Sequence, residues 1–521
     1  MRSGSHRIRA RPAQPAASPR IDHDPAVVSS FLSDAAHVPG GFAAGVATPR
    51  TEGEVAALVA GADRVLPVGA QSSLTGGGTP RGEVVLSTRA LTAIGTPDGR
   101  AVRVGAGVPL AALQRTLASH GLYYPPVPTH DGAFVGGTIA TNAAGAATFK
   151  YGSTRSWVEA MTVVLANGDV LDLRRGDVTA SPDGWFEVVL TSGHAARVPV
   201  PRYTMPDVAK LSAGYFARPG MDMVDLFVGS EGTLGVVVDA SLRVVARPRV
   251  LVALVRCEGD AQAISVTMAL RESAMRARRA LDGLDVSAIE YMDDRALHTV
   301  PDDAFARAHV SRPPPGSALL LVQLEAGADE ETDVERLQAL LVAEGVVDDP
   351  VVAAPGDGHG AERLFGLREA VPAGINARVA AAKARVHPDI EKTAADPVVP
   401  FARLAESIAL YRAAFEQRGL DYAIWGHISD GNLHPNLIPR SLEDVERGRE
   451  AILEIARGVI AMGGAPLAEH GVGRSALKQR LLVELYGAAG IEQMRAVKRA
   501  LDPTGKLAPG VLFPASSGPS G

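Results

Sequence analysis

The sequence predicts an α+β protein of two domains preceded by a tail. Three observations carry that prediction. The chain has 521 residues, whereas a single core usually stops growing near ~250–300 residues. Between about residues 41 and 248, short strands alternate with glycine-rich turns and a few helices. From Val250 the order becomes strand, helix, strand, strand, helix, strand, the split βαβ pattern of a ferredoxin-like sheet.

The composition, 46% hydrophobic and 21% charged, is that of a globular protein. High counts of Gly (55) and Pro (36) predict many tight turns and loops that approach a ligand closely. A net charge of −6 without a basic stripe argues against nucleic acid as a partner. The single cysteine, Cys257, sits in an apolar run and reads as a small buried side chain. One thiol rules out an intrachain disulfide and an iron–sulfur cluster bound by this chain alone. Redox chemistry here needs a bound cofactor.

Taken in order, residues 1–40 read as a tail and lead-in. The first 20 are rich in Ala, Ser, Pro and Arg, and they lack the ~7–15-residue apolar core of a secretory signal. A disordered tail is expected rather than a transit peptide, because Arg outnumbers Lys along the whole chain. No apolar run reaches the ~18–20 residues needed to span a bilayer. A cytoplasmic location, at most peripheral to the inner membrane, and a homodimer are expected.

Residues 41–248 form the first predicted domain. Its strands are Val65–Val68, Glu83–Ser87, Ala101–Val104, Ala160–Leu165 and Gly235–Val245, and its helices Glu52–Ala62 and Leu110–Ser119. Ala246-Arg247-Pro248-Arg249 reads as a linker. Residues 249–516 form the second. Strands Val250–Val255, Val286–Met292, Ala318–Glu325 and Val351–Ala354 alternate with helices Ala261–Leu281 and Ala328–Glu344. Such a sheet has helices on one face and the other face free to roof a ligand. Helices and one hairpin complete the chain.

Three glycine-rich segments point to a large flat ligand. The first, Gly69-Ala70-Gln71-Ser72-Ser73-Leu74-Thr75-Gly76-Gly77-Gly78, follows a strand. Its backbone N–H groups can converge on an anion, and its hydroxyls add donors, which suits a pyrophosphate. It is neither a Walker loop nor a GxGxxG fingerprint; a surface loop is the plain alternative. The second runs from Pro125 to Arg155 and is mostly small residues, too poor in apolar area to build a core. The third is Gly229-Ser230-Glu231-Gly232-Thr233-Leu234-Gly235, for which a sharp turn is the alternative.

In this order and spacing the three segments resemble the FAD-binding domain of the vanillyl-alcohol oxidase/PCMH flavoproteins. The likeness is to the branch with D-lactate dehydrogenase, the glycolate oxidase FAD subunit and D-2-hydroxyglutarate dehydrogenase, and it spans about residues 45–514. It implies a PCMH-type FAD domain of two α+β subdomains and a ferredoxin-like cap domain with a C-terminal helical segment. It implies that Gly69, Gln71, Ser72, Ser73, Leu74, Thr75, Gly76 and Gly77 hold the pyrophosphate. Pro128, Thr129, Gly132, Gly136, Gly137, Thr141, Asn142 and Ser153 would line the flavin, and Glu231, Gly232 and Val236 the ribityl and adenine part. The first loop has no His, so the FAD is expected to be non-covalent. Where the family carries Arg-Gly-Gly, this chain has Gly69-Ala70-Gln71.

The most specific constellation is Trp425-Gly426-His427-Ile428-Ser429-Asp430-Gly431-Asn432-Leu433-His434-Pro435-Asn436. Strands Tyr422–Ile428 and Leu433–Ile438 around a four-residue turn set His427 opposite His434 on one face. Two imidazoles so placed can chelate one metal, although a chance pair of surface histidines fits as well. Glu469-His470-Gly471-Val472-Gly473 offers an oxygen ligand and another imidazole. The resemblance assigns the roles: His427, His434 and Glu469 bind a divalent metal, His470 is the general base, and Asn436 touches substrate or orients the site; the mixed ligand set suits zinc, with manganese and iron as alternatives. It also implies that Arg368, in Leu367-Arg368-Glu369, grips the substrate carboxylate, and that Lys210 lies near the flavin edge. Pro372 stands where some relatives have Thr, and Ala394 where the hydroxyglutarate enzymes have Lys, the nearest being Lys392.

The reaction so implied is oxidation of a small D-2-hydroxy acid to the 2-oxo acid. The metal acidifies the hydroxyl, His470 takes the proton, and hydride passes to the flavin. Two alternatives stay open: other flavin chemistry on the same fold, including alkyl transfer, and a non-catalytic subunit that relays electrons. The motifs leave the electron acceptor open.

Overall fold

The computed structural model describes residues 5–280, 282–327 and 329–514. Two predicted helix ends, Leu281 and Ala328, fall outside them, as do residues 1–4 and 515–516.

A small sheet of strands Ile21–Asp22, Gly45–Ala47, Val84–Ser87 and Val65–Val68 is parallel except at its first pair. The first glycine loop leaves its edge. Beside it, strands Ala101–Gly105, Val236–Arg243, Val158–Val164 and Val170–Arg174 form an antiparallel sheet. Val236–Arg243 alternates buried and partly exposed residues, as a half-covered sheet requires. These are the two α+β subdomains of a PCMH-type FAD-binding fold.

The tail expectation is corrected. Arg7–Arg9 pairs in parallel with Trp185–Val189, and Arg11 forks onto Glu52 while also meeting Asp172. Edge pairing and a bidentate guanidinium hold what composition alone left unstructured. The strands Trp185–Val189 and Ala195–Pro199 were not anticipated.

The cap is a six-stranded antiparallel sheet in the spatial order 351–353, 250–257, 318–325, 286–292, 422–427, 432–437. Its first four strands have the ferredoxin-like order, and the hairpin extends the edge at Val286–Met292. One face packs on helices Asp260–Ala277, Glu330–Ala343, Leu404–Glu416 and Leu442–Ala461. The other face is not free, as expected, but covered by helix Gly358–Arg385. Leu364, Leu367, Val371 and Ile375 form its apolar stripe, a helical spacing that makes burial against the sheet favourable. Buried on both faces, every residue of Val286–Met292 is inaccessible. The last helix, Ala476–Leu501, returns to the first core through Leu481, Leu482, Met494 and Val497. Among the described residues no helix is long and apolar enough to cross a membrane.

Candidate active site

A cavity of about 310 Å³ opens where the glycine-rich segments meet, a size typical of small-molecule sites. Gly69, Gln71, Ser72, Ser73, Leu74, Gly77, Pro128, Thr129, Gly136, Gly137, Thr141, Glu231, Gly232 and Val236 line it. Thr75, Gly76, Gly132, Asn142 and Ser153 do not. Asn142 is buried, bonding the Leu211 carbonyl and the Arg155 N–H. The Thr75 carbonyl accepts from the Arg474 N–H. Gln71 takes φ +55° in place of a glycine, and its amide donates to the carbonyls of Phe31 and Ser33. Two hydrogen bonds thus hold a conformation that costs an L-residue about 1 kcal/mol or more. At Gly137 a Cβ would meet no atom within 4 Å, so it would project into the cavity. A flat ring fits against that bare helix turn, as FAD requires.

The same cavity is lined by Glu469 and His470. Two contacts bring that loop there. The Glu231 carboxylate accepts from the backbone N–H groups of Val472 (2.9 Å) and Gly473 (2.8 Å). Gly473, at φ +56°, lies so close to Thr75 that a Cβ would stand 2.2 Å from its Oγ1. Burial pushes the Glu231 carboxyl up to about 7, with the two N–H groups opposing.

The hairpin register differs from the expected one. Trp425 faces His434 and His427 faces Asn432, because the turn is Ile428–Gly431, one residue earlier, with Gly431 left-handed. Both strands moved by one, so face parity is kept and the two imidazoles lie diagonally on one side. Gly426 makes room: a Cβ there would stand 2.8 Å from the His434 ring.

His427, His434 and Glu469 bring their donor atoms within 4.8 Å of one another. Glu469 Oε1 is 3.5 Å from His427 Nε2 and 3.4 Å from His434 Nε2. These distances are long for charge-assisted hydrogen bonds. Ligands ~2.0–2.1 Å from a tetrahedral ion lie roughly 3.3–3.4 Å apart, so both Glu469–imidazole spacings fit a shared ion. Around it four carboxylates, Glu290, Asp396, Asp430 and Glu469, face two fixed cations, Lys210 and Arg368.

Each group has a partner that aims it. Glu290 Oε1 accepts from His427 Nδ1, and its Oε2 accepts from Arg368 Nε at 2.7 Å. Asp396 Oδ1 is 3.5 Å from His434 Nδ1, and its Oδ2 is 2.8 Å from His470 Nδ1. It also accepts from the backbone of Glu469 and His470. On His427 and His470 the carboxylate on the Nδ1 side leaves Nε2 with its lone pair free, whereas His434 Nδ1 makes no hydrogen bond among the described residues. Lys210, fully buried, donates to Glu469 Oε2 at 3.0 Å and lies 3.1 Å from Asp430. Burial works against its ammonium, yet the two carboxylates raise its pKa. Burial would lift Asp396, Glu469 and Glu290, but the facing cations and imidazoles hold all three well below the usual carboxylate range. Burial would lower His427, yet Glu290 above all raises it to about 9; burial lowers His434.

Arg368, 7% exposed, comes from the covering helix, and Asn436, 1% exposed, from the last hairpin strand; neither lines the cavity. Asn436 Nδ2 donates to the His434 carbonyl, and its Oδ1 has no partner among the described residues. Glu290, Asp396 and Asp430 escaped the sequence reading. A lone carboxylate in the buried run Val286–Met292 was the available signal, since unpaired buried charge is costly.

Residues 43–174 match the FAD binding domain family model, and residues 260–512 match the model for FAD linked oxidases, C-terminal domain. The D-lactate dehydrogenase of Archaeoglobus fulgidus is 30% identical over 480 residues, 89% of this chain and 90% of that protein. The chain belongs to the FAD-linked oxidases. This FAD-linked oxidase is also 29% identical over 460 residues to glycolate oxidase subunit GlcD of Bacillus subtilis, covering 86% of this chain and 83% of that protein. It is 30% identical over 498 residues to the D-2-hydroxyglutarate dehydrogenase of Xanthomonas citri pv. viticola, covering 91% and 90%. Among solved structures, alkyldihydroxyacetonephosphate synthase superposes on the FAD-linked oxidase with a TM-score of 0.57 at 15% identity, over 89% of this chain and 76% of that chain. At that identity the likeness is one of fold.

Proposed function

We propose that the enzyme oxidises a small D-2-hydroxy acid to the 2-oxo acid, with non-covalent FAD and a zinc ion held by His427, His434 and Glu469. The observation that carries this reading is that Glu469 and His470 line the same cavity as the glycine segments. Relatives named for D-lactate, glycolate and D-2-hydroxyglutarate support the substrate class.

Bound FAD supplies a two-electron acceptor, and the ion supplies a Lewis acid that acidifies the substrate hydroxyl. The chain's own residues do the rest. The Asp396 carboxylate, 2.8 Å from His470 Nδ1, favours the ring proton on that nitrogen and leaves Nε2 as the base. Its side chain is 31% exposed, so substrate reaches it. Lys210 occupies one oxygen of Glu469 and leaves the other for the ion. Arg368 and Asn436, beside the imidazoles, orient the carboxylate end of the acid.

Anaerobic mixing with a panel of D-2-hydroxy acids, with and without added zinc, tests this by flavin bleaching. Bleaching is expected, and it should depend on metal. His470→Ala should keep its FAD and slow reduction by about 10²–10⁴-fold; reduction at the unsubstituted rate would refute the base. An electron-relay subunit would bleach with no member of the panel.

A further inference from the structure

Glu290 is the only acidic or basic side chain of its strand, and it is 2% exposed. Its two oxygens serve different halves of the site. One holds His427 Nδ1, and the other holds Arg368 Nε at 2.7 Å. Among the described residues, Nη1 and Nη2 of Arg368 have no hydrogen-bond partner. A desolvated carboxylate shared by a guanidinium and an imidazole divides its charge between them. Whatever neutralises it on one side weakens its hold on the other.

We propose that Glu290 is a positioning residue coupling His427 to Arg368, so that zinc affinity at the triad depends on Arg368 although Arg368 is no ligand. The inference rests on the zinc reading above. The carboxylate fixes the His427 tautomer, leaves Nε2 for the ion, and makes the imidazole a better donor. A Gln at this position is neutral and keeps one oxygen, so one of the two donors, Arg368 Nε or His427 Nδ1, would lose its acceptor. Removing Arg368 instead leaves the whole carboxylate charge to His427. The two substitutions therefore act in opposite directions.

The test uses the full-length, FAD-loaded protein stripped with a chelator and titrated with Zn²⁺ alone by calorimetry, with flavin absorbance as the folding control. Glu290→Gln should weaken zinc by about 10–100-fold. Arg368→Met should tighten it by about two- to tenfold, and that gain should vanish in the double variant. A merely structural role would weaken both. Equal zinc affinity in Glu290→Gln and the unsubstituted enzyme overturns the coupling alone, as does an Arg368→Met gain that persists in the double variant. An unsubstituted enzyme that binds no zinc overturns the metal reading and the coupling with it. If Glu290→Gln fails to hold FAD, Glu290→Asp takes its place in the same cycle: an Arg368→Met gain that shrinks in that background supports the coupling, and an equal gain refutes it.

Discussion

Gly137→Ala separates the fold from the cofactor site, because its two effects have opposite signs. Gly137 lies in the short helix Val135–Ala140 and lines the cavity. An added Cβ meets no protein atom within 4 Å, so the apoprotein meets no clash. A helical glycine costs roughly 0.5–1 kcal/mol relative to Ala, and the FAD-free protein should gain about that much. With FAD present, the methyl stands where the flat ring should lie. Overpacking of one methyl group costs about 1–3 kcal/mol, which weakens FAD by roughly 5- to 150-fold. Urea unfolding of the FAD-free protein reads the first effect, and fluorescence titration with FAD reads the second. Unchanged FAD affinity beside raised apoprotein stability would show that this turn does not face the cofactor. Lowered apoprotein stability would contradict the local packing itself.

Lys210→Met should destabilise the zinc-free protein by about 3–5 kcal/mol, since Glu469 and Asp430 lose their buried cation. Added zinc should recover part of that in thermal unfolding, and a loss under about 1 kcal/mol would refute the pairing. Glu231 has its carboxyl raised by burial from 4.5 to about 7, so between those values the folded state holds a proton that the unfolded state has released. Its contribution therefore falls as pH rises through that window, by at most ~3 kcal/mol. Glu231→Gln should flatten this part of the pH dependence of urea unfolding in the FAD-free protein.

Much of the architecture was readable along the chain because periodicity is local. The apolar run at Val250 and the alternation of strand and helix through Val351 specify the cap strands to within a few residues. A segment of small residues buries little apolar area, so 125–155 reads as a ligand cradle, whereas 69–78 by itself reads equally well as a surface loop. The hairpin shows the limit. Its turn shifted by one residue, yet the faces of His427 and His434 survived, because an equal shift on both strands keeps the alternation. The Gln71 position shows another: its positive φ depends on the carbonyls of Phe31 and Ser33, about 40 residues upstream.

Composition, period and motif spacing by themselves determined the α+β class, the glycine cradle and the candidate imidazoles, since each depends on neighbours within a turn or a strand. Tertiary structure alone decided that Glu290, Arg368 and His427 meet across separations of 78 and 137 residues. It also decided that Lys210 reaches Glu469 across 259, and that the tail joins a sheet. Charge pairing in a buried site is a property of packed surfaces. A carboxylate read along the chain carries no mark of the cation that will neutralise it.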